Sequence, residues 1–165
     1  MKKTIVFVQS DGAVWLYNID DQAGAPRLEN ETDAGYIERM VARRMRDCEA
    51  RNIPKGARVA TLDFEEVPLL LRTTFKGGRR WDGAAVVPDM TKCRDIRREH
   101  FRELRKPLLT TLDVAYMRAD EVGDAAAKAD IAARKQALRD VTKDVRIESA
   151  TTPDELKAVI PDILK

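Results

Sequence analysis

The sequence predicts an α+β chain: a small N-terminal antiparallel sheet with one packed helix, then a long helical hairpin and a short terminal helix. Three observations carry this reading. Two β-rich runs near the start flank an Asp-Gly pair, a helical period occupies residues 33 to 48, and a much longer one begins near residue 89. The expected division is an α+β head at 1–88 and the hairpin with its terminal helix at 89–165.

Thr4-Ile5-Val6-Phe7-Val8 and Ala13-Val14-Trp15-Leu16-Tyr17-Asn18-Ile19 are rich in the β-branched and aromatic residues that suit a pleated surface. Asp11-Gly12 between them signals a two-residue hairpin turn. A polar loop with Gly24 and Pro26 leads to Asp33, read as the cap of a helix. Its Tyr36/Ile37, Met40/Val41, Arg44/Met45 and Cys48 share one face. The helix stops before Asn52-Ile53-Pro54-Lys55-Gly56. Arg58-Val59-Ala60-Thr61-Leu62 reads as a third strand, and Trp81-Asp82-Gly83 as a turn into a final strand through Val87. All four strands are expected in one sheet. Residues 68 to 78 have no single reading, because Leu69-Leu70-Leu71 suits helix, strand or loop.

The second half is more regular. Cys93, Ile96, His100/Phe101, Leu104, Leu108, Leu112, Tyr116, Ala119 and Val122 recur at spacings of three and four, which places them along one helical side. Pro107 interrupts this stripe without shifting its phase, which favours a kinked helix over two collinear ones. Gly123 suits the left-handed residue that ends a helix, and Asp124 the next N-cap. A thinner stripe follows at Ala127, Ile131, Arg134, Leu138 and Val141, so the two helices fold back as an antiparallel hairpin. Thr152-Pro153-Asp154-Glu155 is a helix start, with Thr152 as cap, Pro153 in the first turn and Glu155 completing a capping box. Ile96, Phe101, Leu104, Leu108, Leu112, Tyr116, Ile131 and Leu138 are therefore the expected hairpin or partner interface.

Composition sets outer limits. A length of 165 residues fits one domain or a small domain with an appendage, and 30 basic against 28 acidic residues leave +2. Net charge alone points to neither membrane nor nucleic acid. No apolar run is long enough to span a bilayer, and Met1-Lys2-Lys3-Thr4 leads into strand-like sequence rather than a signal peptide. Cys48 and Cys93 stand in no CxxC pattern and are expected as two buried thiols in a cytosolic protein.

Chemistry has little support in the residues. His100 is the only histidine, and no Ser or Cys accompanies it in a nucleophile motif. Cys48, Cys93 and His100 are too few and too scattered for zinc. Lys76-Gly77-Gly78-Arg79-Arg80 has neither P-loop nor dinucleotide spacing. No catalytic residue, cofactor or metal is expected. The competing feature is a basic cluster: residues 72 to 106 hold eleven basic against five acidic side chains. Arg79, Arg80, Arg94, Arg97, Arg98 and Arg102 are the candidate phosphate contacts, as in an accessory nucleic-acid-binding protein. Their alternation with Asp95, Glu99 and Glu103 favours a solvated helix face instead.

A series of short motifs in order carries a resemblance. Trp81-Asp82-Gly83, Asp89-Met90-Thr91-Lys92, Arg94-Asp95-Ile96-Arg97-Arg98, Pro107-Leu108-Leu109, Leu112-Asp113-Val114 and Arg118-Ala119-Asp120-Glu121 begin it. Gly123-Asp124, Ala133-Arg134-Lys135-Gln136-Ala137-Leu138-Arg139-Asp140 and Thr152-Pro153-Asp154-Glu155-Leu156-Lys157-Ala158-Val159 complete it. This string, over roughly residues 81 to 160, resembles a C-terminal module of small phage and prophage proteins encoded beside tail-fibre and baseplate components. The chain departs from that pattern at Val159-Ile160-Pro161, where Val-Trp-Pro is expected. The resemblance implies a non-enzymatic tail structural protein, made in the host cytoplasm and residing in the tail region of the virion. Its partners would be other tail, baseplate or fibre proteins, or copies of itself, with no membrane. A tail-fibre assembly chaperone absent from the mature particle would use the same helix face.

Overall fold

In a computed structural model, which describes residues 1–22, 25–53 and 56–164, the chain is α+β and divides into two compact units, Met1–Asp89 and Met90–Lys165. Gly24 of the expected loop, with Pro54 and Lys55 after the first helix, lies outside the described residues.

In the first unit β1 (Lys2–Val8) lies between β2 (Val14–Asp20) and β3 (Ala57–Asp63) in a three-stranded antiparallel sheet. Its four consecutive buried residues, Thr4 to Phe7, show a strand covered on both faces, as a central position demands. The Thr4 hydroxyl is satisfied by donating to Asn18 Oδ1 at 3.0 Å. The connection to β2 differs from the two-residue turn expected. Gly12 N–H donates to the Gln9 carbonyl, Gln9 N–H donates to the Ala13 carbonyl, and Gly12 has φ +80°. This is a type I turn closed by a left-handed glycine, which restores the strand twist that a type I turn alone would splay. On the other edge the register shifts between Val6 and Phe7, whose partners are Ala60 and Arg58, so Val59 is the extra residue of a bulge.

The helix α1 (Asp33–Ala50) covers the sheet through Tyr36, Ile37 and Met40, which form one core cluster with Ile5, Phe7 and Ile19. Its cap is Thr32, not Asp33: the Thr32 hydroxyl accepts from Gly35 N–H at 3.1 Å. Asp33 is the first helical residue and pairs with Arg27 at 2.7 Å. The helix ends with Asn52 at φ +51°, Asn52 N–H on the Glu49 carbonyl and Ile53 N–H on that of Cys48, the paired bonds of a Schellman motif.

The approach to α1 is held by Glu31, whose two oxygens each accept from Arg39 at 2.7 Å while one also takes Leu28 N–H at 3.1 Å. The Arg39 bonds are the main reason that its carboxyl falls from an ordinary 4.5 to about 2. A carboxyl depressed in the folded state stabilises fully above its unfolded value and ceases to do so as pH falls through the folded one. Glu31→Gln is therefore expected to trail wild type by a constant margin above about pH 5 and to converge with it toward pH 2. Urea unfolding at a series of pH values checks this, and a margin independent of pH would contradict it.

Residues 68 to 78, ambiguous in sequence, form the single-turn helix α2 (Leu69–Arg72) and a 3₁₀ turn, Lys76–Gly78. Leu70, Leu71 and Phe75 are buried while Leu69 is exposed. The final strand does not join the first sheet. β4 (Arg79–Trp81) and β5 (Val86–Pro88) pair with each other, because Asp82 closes a tight turn between them. Its Oδ1 accepts from Ala84 N–H at 2.9 Å and Ala85 N–H at 2.8 Å. That local hairpin already uses the hydrogen-bonding edge of β5 facing β4.

The second unit is built on α3 (Met90–Glu121), one continuous helix of 32 residues that passes through Pro107. Thr110 and Thr111 hydroxyls donate to the Lys106 and Pro107 carbonyls, side-chain bonds one turn back along the proline-containing stretch. The helix ends at Gly123, φ +70°, with Asp124 N–H on the Ala119 carbonyl. Asp124 then caps α4 (Ala125–Asp140) by accepting from Ala127 N–H at 2.9 Å. The pairs Asp120–Lys128 and Asp113–Lys135, and Arg105 with Leu138 and Arg139, run in opposite senses along the two helices, so the hairpin is antiparallel.

After a 3₁₀ turn, Val141–Lys143, come α5 (Val145–Ser149), α6 (Pro153–Ala158) and a last turn, Asp162–Leu164. Glu155 N–H donates to the Thr152 hydroxyl, but the Glu155 carboxylate reaches past the cap to Thr151 N–H and its hydroxyl. α5, five residues long, was not expected from sequence. α5 and α6 both pack on α3. Among the described residues no helix is long and apolar enough to cross a membrane.

Candidate functional site

The buried side of α3 differs from the apolar stripe. Cys93, Arg97, Phe101 and Ala119 are its buried residues. Ile96, Leu112 and Tyr116 are half-buried, whereas Leu104 and Leu108 are 43% and 42% exposed. On α4, Ile131 and Leu138 are buried. The lysines Lys128 and Lys135 stand over the Tyr116 ring at 5.6 and 5.4 Å.

The arginines of α3 explain the shift. A helix leaves its last carbonyls without intrahelical partners, and a guanidinium fork can supply the missing donors. Arg94 donates through Nε to the Ile147 carbonyl at 3.1 Å and through Nη2 to that of Ala150 at 3.0 Å, at the end of α5. Arg97 Nη2 donates to the Lys157 and Val159 carbonyls at 2.9 and 2.5 Å, at the end of α6. Arg105 donates to the Arg139 carbonyl at 2.7 Å, with Leu138 at 3.4 Å, at the end of α4. One helix thus holds the C-terminal ends of three others. Arg97 is buried, its guanidinium lies 4.5 Å over the Phe101 ring, and burial lowers its pKa from the ordinary value.

The remaining candidate phosphate contacts divide. Arg79 Nε donates to the Leu71 carbonyl at 2.8 Å. Arg98 pairs with Asp95 at 2.9 Å and also with Glu148, and Arg102 pairs with Glu99 at 2.7 Å. Arg80 is exposed on β4. A phosphate-tracking face needs several uncommitted cations on one surface, and most of these are committed internally. Duplex DNA is expected to show no binding in an anisotropy titration at about 150 mM salt; sub-micromolar binding that weakens log-linearly with salt would contradict that.

What stays open is an apolar groove in the hairpin seam. Leu108 and Leu112 from α3, Arg134 and Leu138 from α4, and Ile163 from the last turn surround a cavity of about 170 Å³, with Thr111 at its side. Leu108 follows Phe101 by two helical turns and so shares its face. Phe101 lies in the part of α3 whose arginines bind α5 and α6; further along, α4 and Ile163 are the walls. The Thr111 hydroxyl is already committed to the Pro107 carbonyl. Arg134, placed by its spacing in the α4 apolar stripe, makes no hydrogen bond or ion pair among the described residues. Its position was legible as a cation in apolar phase between Ile131 and Leu138. Ile163, 51 residues beyond Leu112 in the chain, carries no such signal.

His100 is exposed, with its ring 6.3 Å from that of Phe101. Cys48 and Cys93 are buried thiols. Among the described residues no three His, Cys, Asp or Glu side chains are placed to hold a metal ion. Comparison with known proteins finds no matching family model, no similar curated protein and no similar solved structure.

Proposed function

We propose that the chain is a non-enzymatic docking subunit of a bacteriophage tail, working through contacts with other tail, baseplate or fibre proteins. The motif string of residues 81 to 160 supports the setting, since it resembles modules encoded beside such components. The observation that carries the docking role is the groove at Leu108, Leu112, Leu138 and Ile163. An α-helical hairpin closes its own apolar seam when it can. This one leaves its large side chains partly uncovered and offers an extended surface rather than a reaction centre.

Mass spectrometry of purified particles tests the reading. Stoichiometric presence of the chain in the tail fraction is the expected result. Absence from particles that nevertheless need the gene for tail-fibre assembly would overturn the structural role in favour of an assembly chaperone.

A further inference from the structure

We draw no further inference here: the strongest candidate, the apolar groove in the hairpin seam between α3, α4 and the last turn, carries nothing beyond the docking reading, because nothing in the structure shows what covers it.

Discussion

Phe101→Ala is expected to destabilise the helical unit by about 3–5 kcal/mol, the range for deleting a buried aromatic ring from a packed core. Phe101 is 1% exposed, so the full transfer term is lost, and its neighbours on α3 are fixed by bonds to other helices. A site tied in this way cannot collapse easily around the vacated volume, which places the loss high in the range. The ring also faces the Arg97 guanidinium at 4.5 Å, a contact worth about 1–2 kcal/mol where water is excluded. Urea unfolding followed by circular dichroism at 222 nm measures this, because that signal is dominated by helix. Trp15 and Trp81 both lie in Met1–Asp89, so their fluorescence reports on the other unit. A loss under about 1 kcal/mol would contradict a packed site at Phe101.

Arg97→Met is the second large effect, expected to cost about 2–4 kcal/mol. Replacing every member of a buried polar group by apolar residues can be harmless, but here only the donor is removed. The Lys157 and Val159 carbonyls remain at the end of α6 and lose the donor that satisfied them. Methionine keeps the apolar stem, so the measured loss reports the hydrogen bonds together with the guanidinium–Phe101 contact rather than the packing of the stem. Arg97→Lys is expected to recover less than half of the loss, since a compact ammonium does not reproduce the planar fork. Neutral stability in Arg97→Met would contradict the role assigned to the α3 arginines.

These arginines mark the limit of what residue spacing and charge reveal. Arg97 lies in helical phase with Cys93 and Phe101, so its burial was written in the spacing. Its charge, and the acids interleaved around it, pointed to a solvated face. The targets of Arg94, Arg97 and Arg105 lie 33 to 62 residues away and are backbone carbonyls, which leave no mark on residue identity. Local chemistry read well by comparison. Gly123-Asp124 and Thr152-Pro153 each end or begin a helix where their own backbone preferences require it. α5 leaves no signal in the sequence, because five residues are too few to establish a period. The separation of β5 from the main sheet turned on Asp82, whose side chain builds the β4–β5 turn. The groove was half legible: Leu108 and Leu112 stood on the expected face, while their partial exposure depends on where α5 and α6 stop covering α3.

Leu108→Asp tests the docking account most directly. Leu108 is already 42% exposed on a helix, so the substitution is expected to cost the isolated chain about 1 kcal/mol and leave it folded. It also sets a negative charge in the apolar groove that is proposed to dock a partner. In particles assembled with the variant, quantitative mass spectrometry of the tail fraction is predicted to find the folded chain depleted at least tenfold relative to wild type. Incorporation of Leu108→Asp at wild-type stoichiometry would contradict the account.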